Sequence, residues 1–270
     1  MFNAEIPPPL ITREHGSWAV LIIPMLVSLA VVGRWKGDFA WVVLSAFGVF
    51  LSYVPAQLLL RHYTGSVQRV EKLYQAKVWG AVYAIVSLGF ASVLLLKGYV
   101  FLLAIGAAGI LSFIANFYLA KEYSKSIFTD LIAVAGLALS GPSAYYVLAG
   151  EIDRRAVSLY ILNVLFFGCS VFYVHMKIRA SATKKREMGW RERLSLGKIN
   201  LLCYVAVATI VEILAALHCT PIIVLVAFVP IIVQGLYGTI NLSSNVRFRN
   251  LGLILLGQSI VFGMMLSGSM

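Results

Sequence analysis

The chain has 270 residues, of which 60% are hydrophobic and only 12% charged, with a mean hydropathy of +0.89 and a net charge of +11. A soluble domain carries about 25% charged residues, so half that density cannot clothe a water-facing surface. Soluble enzyme, secreted domain, disordered tail and nucleic-acid binder are excluded, and the surplus positive charge belongs to loops flanking a membrane.

A helix needs roughly 20 mostly apolar residues to cross about 30 Å of hydrocarbon. Nine segments meet that requirement: 17–33, 39–60, 78–96, 99–119, 127–149, 156–176, 199–217, 221–241 and 250–268. They predict an all-α polytopic bundle forming one integral membrane domain over 1–270. The first span is short and holds Pro24. It reads as retained rather than cleaved, because Arg13, Glu14 and His15 precede it and no small-residue cleavage site follows. Pro24, Pro55, Pro142 and Pro230 are expected to interrupt their spans and free backbone carbonyls. The three cysteines (Cys169, Cys203, Cys219) form no CxxC pair, which argues against a disulfide framework and a cysteine metal site.

Across nine spans, the 22 basic residues divide 17 to 5 between the two faces. The positive-inside rule then places the N-terminus in the cytoplasm and the C-terminus outside. A bacterial cytoplasmic membrane is the expected location. Two cytoplasmic connections stand out by length, about 61–77 and 177–198. Their run Lys184 to Arg186 suits anionic head groups at the inner leaflet, at about 1 kcal/mol per basic residue.

Ionisable side chains at span ends are costly in hydrocarbon and mark functional positions. Glu14 and His15, Arg61 and His62, Asp130, and His175 and Lys177 all fall near the cytoplasmic level, while Glu212 lies within the seventh span. Snorkelling accounts for Arg61 or Lys177 taken singly; a cluster at one level points to a cavity. Nucleotide, zinc and hydrolase motifs are absent. The GxxG stretches Gly106 to Gly109 and Gly235 to Gly238 read as close helix packing.

The segment Arg13 to Leu26 (REHGSWAVLIIPML) resembles the first helix of UbiA-type membrane prenyltransferases, and its EHGSW form is similar to the YwiC-like family of bacterial membrane proteins. Tyr118 to Lys125 followed by Asp130 to Gly150 (DLIAVAGLALSGPSAYYVLAG) resembles a second UbiA passage. The resemblance implies a UbiA-like bundle of nine helices. It also implies two aspartate-rich motifs holding Mg²⁺ against a prenyl diphosphate, near Pro55 to Tyr63 and near Ser170 to Lys177. Neither stretch contains an acid: Gln57, Arg61 and His62 occupy the first, and Ser170, Tyr173 and Lys177 the second. Mg²⁺ needs hard oxygen ligands, so no Mg²⁺ site and no cofactor is expected.

Basic residues in those places still allow direct binding of an anion. The expected partners are the lipid bilayer and an amphiphile with an anionic head (isoprenoid, lipid, quinone-like or haem-type), with no nucleic acid. Arg13, Gln57, Arg61, His62, Lys72, Lys121, Tyr173 and Lys177 are the ligand-binding candidates. In that arrangement Arg61 and Lys177 clamp the head and Tyr173 and His62 hydrogen-bond it. Glu14, His15 or His175 would act as acid or base in a metal-independent transferase. Two other readings stay open: a small-solute permease using Glu212, and a non-catalytic assembly subunit of a respiratory complex.

Overall fold

A computed structural model describes residues 7–12, 15–63, 70–122, 126–183, 188–244 and 246–270. Every regular element among those residues is a helix. Eight segments among them are long and apolar enough to cross a membrane, and a shorter apolar helix at the start brings the number to nine. The protein is therefore an all-α, multi-pass membrane protein. Its chain divides into two compact units, 1–14 with 35–102 and 15–34 with 103–270.

The first unit is a helical hairpin. Helices α2 (Asp38–Tyr63) and α3 (Val70–Leu96) run antiparallel, with Gly48 facing Ser87 so closely that an added Cβ would lie 2.8 Å from the Ser87 backbone nitrogen. Ser45 Oγ donates to Ser87 O at 3.1 Å beside that contact, and Trp41 stacks on Phe90 at 5.2 Å. Small residues bring two backbones together where dispersion, not water exclusion, holds helices. At the open end Lys97 and Tyr99 both donate to the Asp38 carboxylate. Residues 7–12 run along α3, with Trp79 Nε1 donating to Pro7 O at 2.8 Å and Gln75 Nε2 to Pro8 O.

The second unit contains α1 (His15–Val32), nearly all of α4 (Phe101–Glu122), α5 (Ile127–Ala138), α6 (Ser140–Ala149), α7 (Arg154–Ala182), α8 (Trp190–Ala216), a 3-10 helix (Ile222–Phe228), α9 (Val229–Ile240) and α10 (Phe248–Ser269). Its core is aromatic. Phe166 of α7 stacks on Phe262 of α10 with centroids 4.0 Å apart, and Phe228 meets Phe262 edge-on at 5.2 Å.

Two of the four prolines break their spans and two do not. The fifth span divides at Leu139 just before Pro142, and the eighth begins as the 3-10 helix, with Pro230 in the first turn of α9. α1 and α2 instead continue through Pro24 and Pro55. The expected interruption at those positions is corrected because neighbouring helices accommodate the rings. Gly141 leaves space for Pro24 and Gly80 for Pro55, while Ser140 Oγ donates at 2.7 Å to Leu21 O in the turn that Pro24 loosens. Ser28 Oγ returns a bond to Gly141 O at 2.9 Å.

The long connections drawn at 61–77 and 177–198 are also narrower than expected. α2 runs to Tyr63 and α3 starts at Val70, while α7 runs to Ala182 and α8 starts at Trp190. Charged residues did not end these helices, because an α-helix satisfies its own backbone and lets long basic side chains reach water.

Candidate functional site

On α7, Tyr173 and Lys177 stand four residues apart and so share a face. That face meets α9 at Gly235 to Gly238. A Cβ on Gly238 would collide with the Tyr173 hydroxyl, and one on Gly235 would overlap the Tyr204 hydroxyl from α8. The two glycines are thus required by tyrosines laid against the α9 backbone, which is the close packing their spacing suggested.

Lys177 continues this contact. Its Nζ donates to Gly238 O at 3.0 Å and sits 5.5 Å from the centre of the Tyr173 ring. Arg193 at the start of α8 donates to Ile240 O at 2.6 Å and to Met188 O at 2.9 Å. Two cations therefore cap the last turn of α9, whose exposed carbonyls carry the negative end of the helix dipole. Part of the role of Lys177 is structural. An ammonium has three donors, however, and only one is used there.

Beyond α9 the chain turns back into α10 and forms a second wall. Tyr173, Lys177 and Gln234 on one side, and Ser243, Val246, Arg247, Asn250, Leu251 and Ile254 on the other, enclose an open depression of about 280 Å³. Among the described residues no acidic side chain lines it. Gln234 lies beside the Tyr173 hydroxyl, and its Oε1 is buried with no hydrogen-bond partner among the described residues. Arg247 and Asn250 are exposed at the rim. The lining offers one ammonium, one guanidinium, amide and hydroxyl groups, and an apolar edge along Leu251 and Ile254. Among the described residues the lining holds no imidazole or carboxylate for general acid–base work.

The other expected site residues fall elsewhere. His175 is two positions from Tyr173 and so projects from the far side of α7. Its Nε2 is 2.7 Å from Asp130 Oδ2 of α5. It borders a void of about 10 Å³ with Met176, Arg179 and Asn200, room for about one water molecule. Gln57, Arg61, His62 and Lys72 belong to the first unit. Gln57 donates to the Tyr53 hydroxyl at 2.7 Å, His62 meets Tyr63 edge-on at 6.0 Å, and Arg61 and Lys72 are exposed. Arg13 and Glu14 lie outside the described residues, as do the side chains of His15 and Lys121. Glu212 is exposed in the last two turns of α8 rather than enclosed within its unit.

Of the residues lining this depression, the sequence singles out Tyr173 and Lys177 as candidates but not Gln234, Ser243, Arg247 or Asn250. Gln234 carried a readable signal, since an amide in an otherwise apolar span must find a partner. No solved structure matches this chain. The protein described as "Uncharacterized protein YwiC" of Bacillus subtilis (strain 168) is 28% identical over 178 residues, covering 63% of this chain and 67% of that one. The model of the family described as YwiC-like protein matches residues 11–145, which take in the first-helix segment and end before the Tyr173–Lys177 pocket. The chain belongs to the YwiC-like family.

Proposed function

We propose that this membrane protein binds an amphiphile, placing the anionic head between Lys177 and Arg247 and the apolar tail against Leu251 and Ile254. One observation carries the reading: among the described residues, two cations and no acid line a depression whose outer edge is apolar. Arginine supplies a planar fork and lysine a point charge, a pair suited to phosphate or carboxylate oxygens. The resemblance of 13–26 and 118–150 to UbiA passages supports an isoprenoid-type tail. The distribution of basic residues supports a mouth facing the cytoplasm. Binding here needs neither Mg²⁺ nor Arg61. The described lining supplies charge and hydrogen bonds for a head group, so the reading is of a binder before a transferase.

The test is thermal stability of the detergent-purified full chain with a prenyl diphosphate, an anionic phospholipid, haem and a quinone, each with and without EDTA. A ligand bound only to the folded state at 100 times its Kd stabilises by about 2.7 kcal/mol. An EDTA-resistant shift with an anionic amphiphile, reduced in both Lys177→Ala and Arg247→Ala, is the expected result. The absence of a shift with every anionic amphiphile overturns the reading.

A further inference from the structure

Beneath the pocket, α7 and α8 bring two thiols together. Cys169 Sγ and Cys203 Sγ are 2.9 Å apart, and both cysteines are free. We propose that Cys169 and Cys203 are a redox modification site: a dithiol inside the membrane that a lipid-soluble two-electron oxidant of the quinone class converts to a disulfide tying α7 to α8.

The separation is within about 1 Å of a covalent S–S bond of about 2.05 Å, so the two sulfurs need approach by only about that much to bond. The class of oxidant follows from the surroundings. Cys169 is fully buried in the apolar core and Cys203 is partly buried, on a helix whose neighbours Leu202 and Val205 are 57% and 64% exposed. An apolar setting keeps thiols protonated and slows exchange with water-soluble disulfides. A quinone dissolved in the bilayer reaches the Cys203 side directly. The step balances: two S–H bonds break, one S–S bond forms, and two electrons with two protons reduce the quinone to its quinol.

The position gives the bond leverage. Cys169 lies one turn from Tyr173, and Cys203 is adjacent to Tyr204, so the disulfide would fix the helices carrying both tyrosines that rest on α9. Cys219 stands apart, in the turn after α8, where its thiol faces Leu217 O at 3.6 Å. It serves as an internal control.

The test uses the full chain in membrane vesicles. These are treated with a fully ring-substituted short-chain benzoquinone, which cannot arylate thiols, or with diamide, then denatured and labelled with a mass-tagged maleimide. Wild type should fall from three labelled thiols to one, recover with dithiothreitol, and yield a Cys169–Cys203 linked peptide. Cys169→Ser and Cys203→Ser should each keep two labels throughout. If either variant fails to fold, Cys219→Ser supplies the same answer by falling from two labels to none. Three labels retained after both oxidants, or a disulfide mapped to Cys219, overturns the proposal. None of these readouts depends on a ligand in the Lys177–Arg247 pocket.

Discussion

The two compact units solve helix association in different ways. In the α2–α3 hairpin, Gly48 admits the Ser87 backbone itself, a serine hydroxyl closes the contact, and charges sit at the open end as the Asp38–Lys97 pair. In the second unit the glycines of α9 admit tyrosine rings, and polar atoms are left over. Asn163, Asn200, Tyr204, Thr220, Gln234 and Gln258 each have a buried side-chain oxygen or nitrogen without a partner among the described residues, and all six belong to this unit. An unpaired buried polar group costs on the order of 1–3 kcal/mol. Among the described residues the second unit therefore carries the unrelieved polar burial, while the hairpin, with fewer buried positions, carries none of it.

Glycine substitutions sharpen that contrast most. Gly48→Ala sets a methyl against backbone that cannot rotate away, and should destabilise by about 3 kcal/mol or more. It should be insensitive to changes at nearby side chains. Gly235→Ala should also destabilise by about 1–3 kcal/mol. There, adding Tyr204→Leu should restore much of the loss, because the obstacle is one side chain. Thermal melts in detergent decide both, and an equal rescue at the two sites would remove the distinction between the units.

The next effects separate the two functions of the pocket cations. Lys177→Ala removes a charged hydrogen bond to Gly238 O and should lower stability by about 1–3 kcal/mol, besides weakening anion binding about tenfold or more. Arg247→Ala should leave apo stability within about 0.5 kcal/mol, as is usual for exposed positions, yet weaken binding by a similar factor. A melt and a ligand titration on each variant separate structural from binding roles.

The smallest changes are expected at two polar groups. Tyr204→Phe removes a buried hydroxyl with no hydrogen-bond partner at bonding geometry among the described residues, so it should be neutral or slightly stabilising in a thermal melt. Asp38→Asn in the hairpin should cost no more than about 1 kcal/mol, since the Lys97 side chain is 46% exposed and solvent screens the pair. A large loss from Asp38→Asn would mean that the hairpin, too, depends on a polar centre.

Much of this architecture was legible in the residues. Long apolar runs gave the spans, because hydrocarbon permits few alternatives to a helix. Pro142 and Pro230 marked two real breaks. Pro24 and Pro55 did not, since whether a proline breaks a helix depends on what packs beside it, here Gly141 and Gly80. Tyr173 and Lys177 were legible as polar residues on one face at a span end. Their partners could not be assigned to them: Gln234 stands out in its apolar span as an amide, but nothing local names its neighbour, and Arg247 was visible only as a charge beside a membrane. The proximity of α7, α9 and α10 is a tertiary fact without a local signature. His175, an acid–base candidate in the sequence, is two residues from both Tyr173 and Lys177 and so projects from the other side of α7, with Nε2 2.7 Å from Asp130 Oδ2.

The central claim is that Lys177 and Arg247 act together on one anionic head. Its most direct test is a double-mutant cycle on the affinity of the purified protein for a prenyl diphosphate or anionic lipid in the presence of EDTA. The account predicts that each alanine weakens binding and that the double variant loses less than the product of the two single losses, as expected for groups sharing one ligand. Strictly multiplicative losses, or tight binding by the double variant, would contradict it.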